Sequence, residues 1–249
     1  MAMRKQKVTG VIPARYESKR LPGKPLVLVN GKPLIQRVFE RAKKSKSLDE
    51  LMVVTDDQRI FDLVKNFGGK VKLSSKSHPT GTDRVAEAVY DLDSDIVVNI
   101  QCDEPFLNPK MIDDLVLPLK RDKEINMTTL AKRMNNNQNI ENPNLVKVIL
   151  DREDFAIYFS RFPIPYSNDN YARHYEHIGI YAFRKSFLMK LTSLPQTPLE
   201  KSERLEQLRV LEHGYKIKVV LTRHRAFSIN TLEDLKQIDR MLKSRGGKS

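Results

Sequence analysis

Val8-Thr9-Gly10-Val11-Ile12-Pro13-Ala14-Arg15-Tyr16-Glu17-Ser18-Lys19-Arg20-Leu21-Pro22-Gly23-Lys24 is the stretch on which the fold turns. Its first five residues form an apolar run that stops at a proline, the pattern of a buried strand feeding a loop. The loop then crowds Arg15, Lys19, Arg20 and Lys24 into ten positions. Backbone N–H groups near Gly23, together with these cations, suit a polyphosphate. The Walker pattern is missing, because Gly23-Lys24 is followed by Pro25, so the loop is not that of a P-loop NTPase. On charge alone a solvated basic turn is the competing explanation. Placement directly after a strand favours ligand contact, since open α/β sheets bind ligands at the carboxyl ends of their strands.

Outward from this loop, short β-rich runs recur at Leu51–Thr55, Lys70–Leu73, Asp95–Ile100, Met127–Ala131 and Leu145–Leu150. Between them lie amphipathic stretches: Leu34–Ala42, with Leu34, Ile35, Val38, Phe39 and Ala42 at helical spacing, and Ile60–Phe67. The alternation predicts an α/β fold with a mostly parallel sheet covered on both faces. After about residue 150 the alternation loosens. Phe162-Pro-Ile-Pro-Tyr166 cannot be an interior strand, and Ser167–Tyr171 is polar and turn-like, which points to a smaller inserted lobe. Asn135–Asn139 reads as a solvated loop. Glu203–Glu212 predicts a helix with Leu205, Leu208 and Leu211 on one face, Lys216–Leu221 a strand, and Thr231–Leu242 a closing helix with Leu235, Ile238 and Leu242 inward. Thr231 and Asp234 have the spacing of a capping box. No internal repeat is present.

Composition bounds the function. The chain of 249 residues has room for one large domain or two small ones, with 40% hydrophobic residues and 13 prolines against 10 glycines, which fits neither a disordered nor a collagen-like protein. No apolar run is long enough for a membrane span, and Met1–Lys7 leads into too few apolar residues for a signal peptide, so a cytoplasmic protein is expected. The single cysteine, Cys102, permits no intrachain disulfide and no cysteine-based zinc site. The net charge of +13 is concentrated locally: residues 1–50 hold 13 basic and 4 acidic side chains, residues 101–200 hold 13 of each. Tryptophan is absent and neither a zinc-finger nor an RNP pattern occurs, which argues against nucleic acid as the partner.

The Asp95–Ile100 run ends in Gln101-Cys102-Asp103-Glu104-Pro105. Carboxylates at a sheet's carboxyl edge suit Mg²⁺, which takes one or two of them and fills its octahedron with phosphate oxygens and water. A turn or helix cap is the plainer use of Asp103-Glu104 taken alone. Cys102 reads as a packing residue rather than a nucleophile, since no histidine is near it in sequence.

Taken together, Ile12–Leu26, Thr55-Asp56-Asp57, Thr80-Gly-Thr-Asp-Arg84 and Asn99–Pro105 resemble, in content and order, the 3-deoxy-manno-octulosonate (Kdo) cytidylyltransferases, or CMP-Kdo synthetases. The resemblance continues through Val146-Lys-Val148, Tyr158–Arg161, Ile164-Pro165, His177–Tyr181 and Leu205–Arg209, nearly the whole chain. It implies a Rossmann-like nucleotidyltransferase sheet with a nucleotide half at residues 1–110, a sugar-acid and dimerisation lobe at about 125–215, and a closing strand and helix at 216–244. The implied reaction is attack of the anomeric hydroxyl of Kdo on the α-phosphate of CTP, giving CMP-Kdo and pyrophosphate for lipopolysaccharide biosynthesis by a cytoplasmic homodimer. Arg15, Arg20, Lys24 and Asp103 are the catalytic group it implies. CTP falls to Ala14, Arg15, Arg20, Lys24, Thr55 and Arg84, and the sugar acid to Gln101, Arg161, His177, Tyr181, Glu206 and Gln207. Mg²⁺ falls to Asp103 and to Asn230, which stands where the family has Asp.

The sequence departs from the family at two places, Cys102 for Gly and Asn230 for Asp. An amide oxygen is a weaker ligand than a carboxylate for a hard cation. The departures leave open an altered metal requirement, a related sugar acid such as an amino sugar, or a paralogue that binds nucleotide with little catalysis.

Overall fold

The computed structural model describes residues 4–17, 20–134, 140–166, 173–224 and 227–246. Lys19, the Asn135–Asn139 loop and the Ser167–Tyr171 turn named above lie outside the described residues. In chain order the elements are β1 (Val8–Ala14), a 3-10 turn (Lys24–Leu26), β2 (Leu28–Val29), β3 (Lys32–Pro33), α1 (Leu34–Ala42), β4 (Glu50–Thr55), α2 (Gln58–Asn66), β5 (Val71–Leu73), α3 (Gly81–Val89), β6 (Ile96–Asn99), α4 (Pro109–Arg121), β7 (Met127–Arg133), β8 (Lys147–Leu150), β9 (Ala156–Ser160), β10 (Tyr175–Arg184), α5 (Lys185–Ser193), α6 (Pro198–Glu203), α7 (Gln207–Glu212), β11 (Lys218–Leu221) and α8 (Leu232–Gly246). The fold is mixed α/β. The chain divides into two compact units.

The first unit comprises residues 7–94, 99–112 and 226–249. Its sheet runs β1-β4-β5 with parallel pairing, Ile12 opposite Val53 and Val53 opposite Val71. Val8, Val11 and Ile12 are fully buried, as are Leu34, Ile35, Val38 and Ala42 on one side of α1, the face the helical spacing predicts. Each such aliphatic side chain contributes about 1.5–3 kcal/mol by leaving water. β1 continues two residues past Ile12, because Pro13 fits the extended conformation at a strand end where its missing N–H costs little. Asp57 caps α2 by accepting from Arg59 N at 3.0 Å, so the helix starts earlier than Ile60. The Thr231–Asp234 cap forms as read: Asp234 N donates to Thr231 Oγ1 at 3.2 Å and Thr231 N to Asp234 Oδ2 at 2.8 Å. On α8 Ile238 is fully buried and Leu235 half-buried.

The second unit comprises residues 1–6, 95–98 and 113–225. Its strands follow the order β11-β7-β10-β6, with β8 on β10 and β9 on β8. β11 is parallel to β7, whereas β10 is antiparallel to both β7 and β8. The parallel alternation of the first unit therefore gives way here to mixed pairing. β10 carries a bulge between Ile178 and Tyr181. The single helix expected over Glu203–Glu212 is two helices, α6 and α7, broken at Arg204, whose φ of 54° ends α6 in the left-handed region.

Candidate active site

β1 delivers the chain to the basic loop. Gly23 N donates to Tyr16 O at 2.9 Å and closes that loop on itself. Gly23 has φ 67°, and a Cβ there would stand 3.1 Å from Tyr16 Cε2, so glycine serves both the conformation and the close approach of the ring. The 3-10 turn then begins with Lys24 and Pro25, with Leu26 N donating to Gly23 O at 2.8 Å.

The loop borders a cavity of about 1050 Å³ whose lining includes Ala14, Arg15, Arg20, Lys24, Arg84, Gln101, Asp103 and Asn230. Eight of the residues named from the sequence thus share one cavity. Lys24 Nζ donates to Asp103 Oδ2 at 2.7 Å and to Asn230 Oδ1 at 3.4 Å, and Arg20 Nη2 donates to the same amide oxygen at 3.1 Å. Lysine and arginine are donors only, which fixes the Asn230 amide with its oxygen toward them. The loop after β6 is tied to the segment before α8 by Ile229 N donating to Asp103 O at 2.9 Å, and Ser228 Oγ donates to the buried Glu104 Oε1 at 2.6 Å. Glu104 therefore braces the main chain that presents Asn230.

On the other side of the cavity, α3 starts with a reciprocal cap between Thr80 and Asp83. The helix N-terminus, lined by Thr80 and Gly81, offers N–H groups and a positive dipole end. Arg84 is buried and committed to protein partners: Nη2 donates to Asp56 Oδ2 at 2.7 Å and Nη1 to Ser74 Oγ at 2.5 Å. Thr55 is fully buried and is not part of the lining; its hydroxyl accepts from Asp57 N at 3.2 Å. Cys102 is in the lining, but desolvation of its thiol, with the Asp103 carboxylate beside it, pushes its pKa up to about 12, so it is no nucleophile at neutral pH.

In the second unit His177 and Tyr181 on β10 meet Glu206 and Gln207 at the start of α7, and Arg161 follows the end of β9. The Thr129 hydroxyl lies 2.9 Å from His177 Nε2 and 3.0 Å from Ile180 O, filling the bulge that sets His177 and Tyr181. The two rings are 5.6 Å apart. Burial lowers the His177 pKa to about 3, so the ring is neutral. Burial, with Glu206 nearby, raises that of Tyr181. Tyr181 Oη donates to Gln207 Oε1 at 3.2 Å, while the buried Gln207 Nε2 has no hydrogen-bond partner among the described residues. A buried donor without a protein acceptor is available to a bound hydroxyl or water.

Arg161 is oriented by main-chain carbonyls: Nε donates to Glu203 O and Nη1 to Pro143 O, both at 2.9 Å. Glu203 accepts from Ser160 Oγ at 2.6 Å and from Arg161 N at 2.9 Å. The fully buried Lys147 ammonium donates to Asn142 O, Leu145 O and Arg161 O. A buried two-pronged pair, Arg209 with Glu200 at 2.8 and 2.5 Å, anchors α7 beneath Gln207. Thr129, Lys147 and Glu203 hold the site and were not read from the sequence. Lys147 and Glu203 sat inside or beside quoted motifs, but Thr129 gave no signal, since its role exists only through the bulge in β10.

A family model described as cytidylyltransferase matches residues 9–217. The 3-deoxy-manno-octulosonate cytidylyltransferase of Syntrophotalea carbinolica is 46% identical over 246 residues, covering 95% of this chain and 98% of its own. That of Thermodesulfovibrio yellowstonii is 47% identical over 247 residues, covering 93% and 96%. A solved CMP:2-keto-3-deoxy-manno-octonic acid synthetase complexed with CTP matches with a TM-score of 0.92 and 36% identity over 96% of this chain and all of that one. A 4-diphosphocytidyl-2C-methyl-D-erythritol synthase from Anaerococcus prevotii, 17% identical with a TM-score of 0.65 and 96% coverage of both chains, shares the fold. By sequence along nearly its whole length and by structure, the chain belongs to the 3-deoxy-manno-octulosonate cytidylyltransferase family.

Proposed function

We propose that the first unit's cavity holds the triphosphate of CTP on Arg15, Arg20 and Lys24, and that the second unit's polar cluster holds the sugar acid. The chain is a cytidylyltransferase that activates Kdo with CTP. The observation that carries the site assignment is the convergence of Lys24, Arg20, Asp103 and Asn230, drawn from three separate parts of the chain, on one cavity. Cations aimed into a partly enclosed cavity are worth more to a polyphosphate than the same cations in water.

In the reaction a sugar hydroxyl oxygen forms a bond to the α-phosphorus, the bond to the bridging oxygen of the β-phosphate breaks, and the hydroxyl proton leaves to solvent. Such transfer depends on positioning and charge stabilisation, and needs no nucleophilic side chain. Arg15, Arg20 and Lys24 take up charge on the departing pyrophosphate. Arg161 offers its remaining donors to the sugar acid's carboxylate, and Gln207 Nε2, Glu206 and Gln101 serve hydroxyls. His177, neutral, and Tyr181 shape the pocket and orient Gln207. Ala14 offers main-chain groups at the end of β1, while Thr55 and Arg84 support the nucleotide side from beneath.

The oxygens of Asp103 and Asn230 already meet at one cation, the Lys24 ammonium. One carboxylate and one amide oxygen beside a triphosphate form a donor set that fits Mg²⁺. When bound there, Mg²⁺ would neutralise phosphate charge.

We further infer that the enzyme acts in the cytoplasm, that its product feeds lipopolysaccharide assembly, and that it pairs with a second copy. Among the described residues no helix is long and apolar enough to cross a membrane. Ile157, Phe162 and Tyr166 expose 58%, 77% and 88% of their surface on the second unit, apolar area suited to a subunit contact. The deciding assay mixes CTP, Kdo and Mg²⁺ and follows pyrophosphate and CMP-Kdo. CTP binding without pyrophosphate release at any Mg²⁺ concentration would make the chain a nucleotide-binding paralogue.

A further inference from the structure

The Tyr16 ring touches two groups that belong to different parts of the first unit. The Gly23 backbone is close enough that a Cβ there would crowd the ring. The Arg59 guanidinium lies over the ring, its carbon 3.4 Å from the centroid. Arg59 is itself locked to the cap of α2, donating through Nε to Asp57 Oδ1 at 3.0 Å and through Nη2 to Asp57 Oδ2 at 2.7 Å. Both carboxylate oxygens are thus engaged, and the guanidinium is held over the ring.

We propose that Arg59 is a positioning residue for polyphosphate binding, acting through Tyr16 on the loop that carries Arg15 and Lys24. Tyr16 follows Arg15 directly, and Gly23 precedes Lys24 directly, so holding the ring, which is in contact with Gly23, steadies the two ends of the loop whose cations line the cavity. The Gly23 N to Tyr16 O bond holds the main chain at the neck of the loop, and the guanidinium over the ring adds a side-chain contact from α2. A loop ordered before the ligand arrives loses less freedom on binding, which appears as affinity. Arg59 is not part of the cavity lining, so it acts only through the ring.

The proposal rests on the loop's polyphosphate role, and steady-state kinetics separate the two. Arg59→Ala is expected to raise the KM for CTP by roughly two- to fivefold, the size of one exposed guanidinium stack. The KM for the sugar acid, kcat and Tm should stay near the parent's. Arg59→Lys, which keeps a cation over the ring, should recover part of the CTP affinity. Tyr16→Leu should raise the CTP KM too, and the double variant Tyr16→Leu, Arg59→Ala should be no worse than Tyr16→Leu alone. An unchanged CTP KM in Arg59→Ala, a double variant whose losses multiply, or a parallel fall in Tm and rise in both KM values overturns the proposal. Lys24→Ala is the control: if it lowers CTP affinity while Arg59→Ala does not, only the role of Arg59 fails; if neither does, the loop is not the polyphosphate site.

Discussion

Lys24 Nζ stands 2.7 Å from Asp103 Oδ2, and both side chains are largely shielded from solvent. The pair joins the loop after β1 to the loop after β6, and it leaves the ammonium pointing into the cavity that Arg15 and Arg20 also line. A phosphate that enters meets a cation already desolvated and oriented.

Lys24→Ala should therefore cost a charge-assisted hydrogen bond, about 1.5–3 kcal/mol, and weaken CTP binding roughly tenfold or more. Calorimetric titration of CTP reads this directly. An unchanged affinity would return the basic run to the status of a surface turn.

Gln207 supplies a test on the sugar side. Its Oε1 is used by Tyr181 and its buried Nε2 is unpartnered. Gln207→Glu keeps the acceptor and turns the spare donor into another acceptor. The KM for the sugar acid should rise about tenfold while that for CTP stays unchanged, because a donor to the sugar is lost and nothing at the phosphates moves. Equal rises in both constants would show that Gln207 serves packing instead.

The strand and loop from Val8 to Lys24 were legible because apolar run, proline, cations and glycine act locally, and α1 was legible because its period is unbroken. Other elements were hidden by their own irregularities. α4 contains Pro118 in its interior, a residue that argues against a helix when met in sequence. β10 is ten residues long, but the bulge between Ile178 and Tyr181 breaks the strict alternation by which a strand shows itself in sequence. Leu205, Leu208 and Leu211 keep helical spacing, yet the chain breaks just before them at Arg204, a residue with no sequence mark of a left-handed conformation. Cations of the phosphate loop could be found without a structure since they are neighbours in sequence. The partners of Arg161 could not, because Glu203 and Lys147 lie 42 and 14 residues away.

Acid sensitivity follows from His177. Burial holds its folded pKa at about 3, against an ordinary value of 6.5. Between these values the unfolded chain carries a proton that the folded chain excludes, so this group's contribution to stability is complete above pH 6.5 and is lost progressively as the pH falls toward 3. His177→Asn removes the linkage. Urea unfolding at pH 7.5 and pH 5 should show a smaller acid loss in the variant, with proton uptake on unfolding at pH 5 lower by about one. Identical pH dependence in parent and variant would mean that the imidazole is accessible enough to protonate in the folded state.

Asn230 offers the sharpest test of metal use. Its amide oxygen already accepts from Arg20 and Lys24 and shares the Lys24 ammonium with Asp103, so position 230 faces the point where a cation would sit. With an amide there, Asp103 offers the one carboxylate of these two positions, and Mg²⁺ affinity depends more heavily on the phosphates than it would with two. Asn230→Asp should lower the Mg²⁺ concentration needed for half-maximal activity. Asp103→Asn should nearly abolish turnover, because neither position would then offer a carboxylate. The two variants and the parent, titrated with Mg²⁺ and read by pyrophosphate release, separate the alternatives. No effect of Asn230→Asp would show that the residue serves only to hold Arg20 and Lys24. Activity arising only in the variant would mark the natural chain as a binding paralogue. A loss of activity would make Asn230 an adaptation, its neutral oxygen leaving Arg20 and Lys24 free for phosphate where a second carboxylate would hold them back.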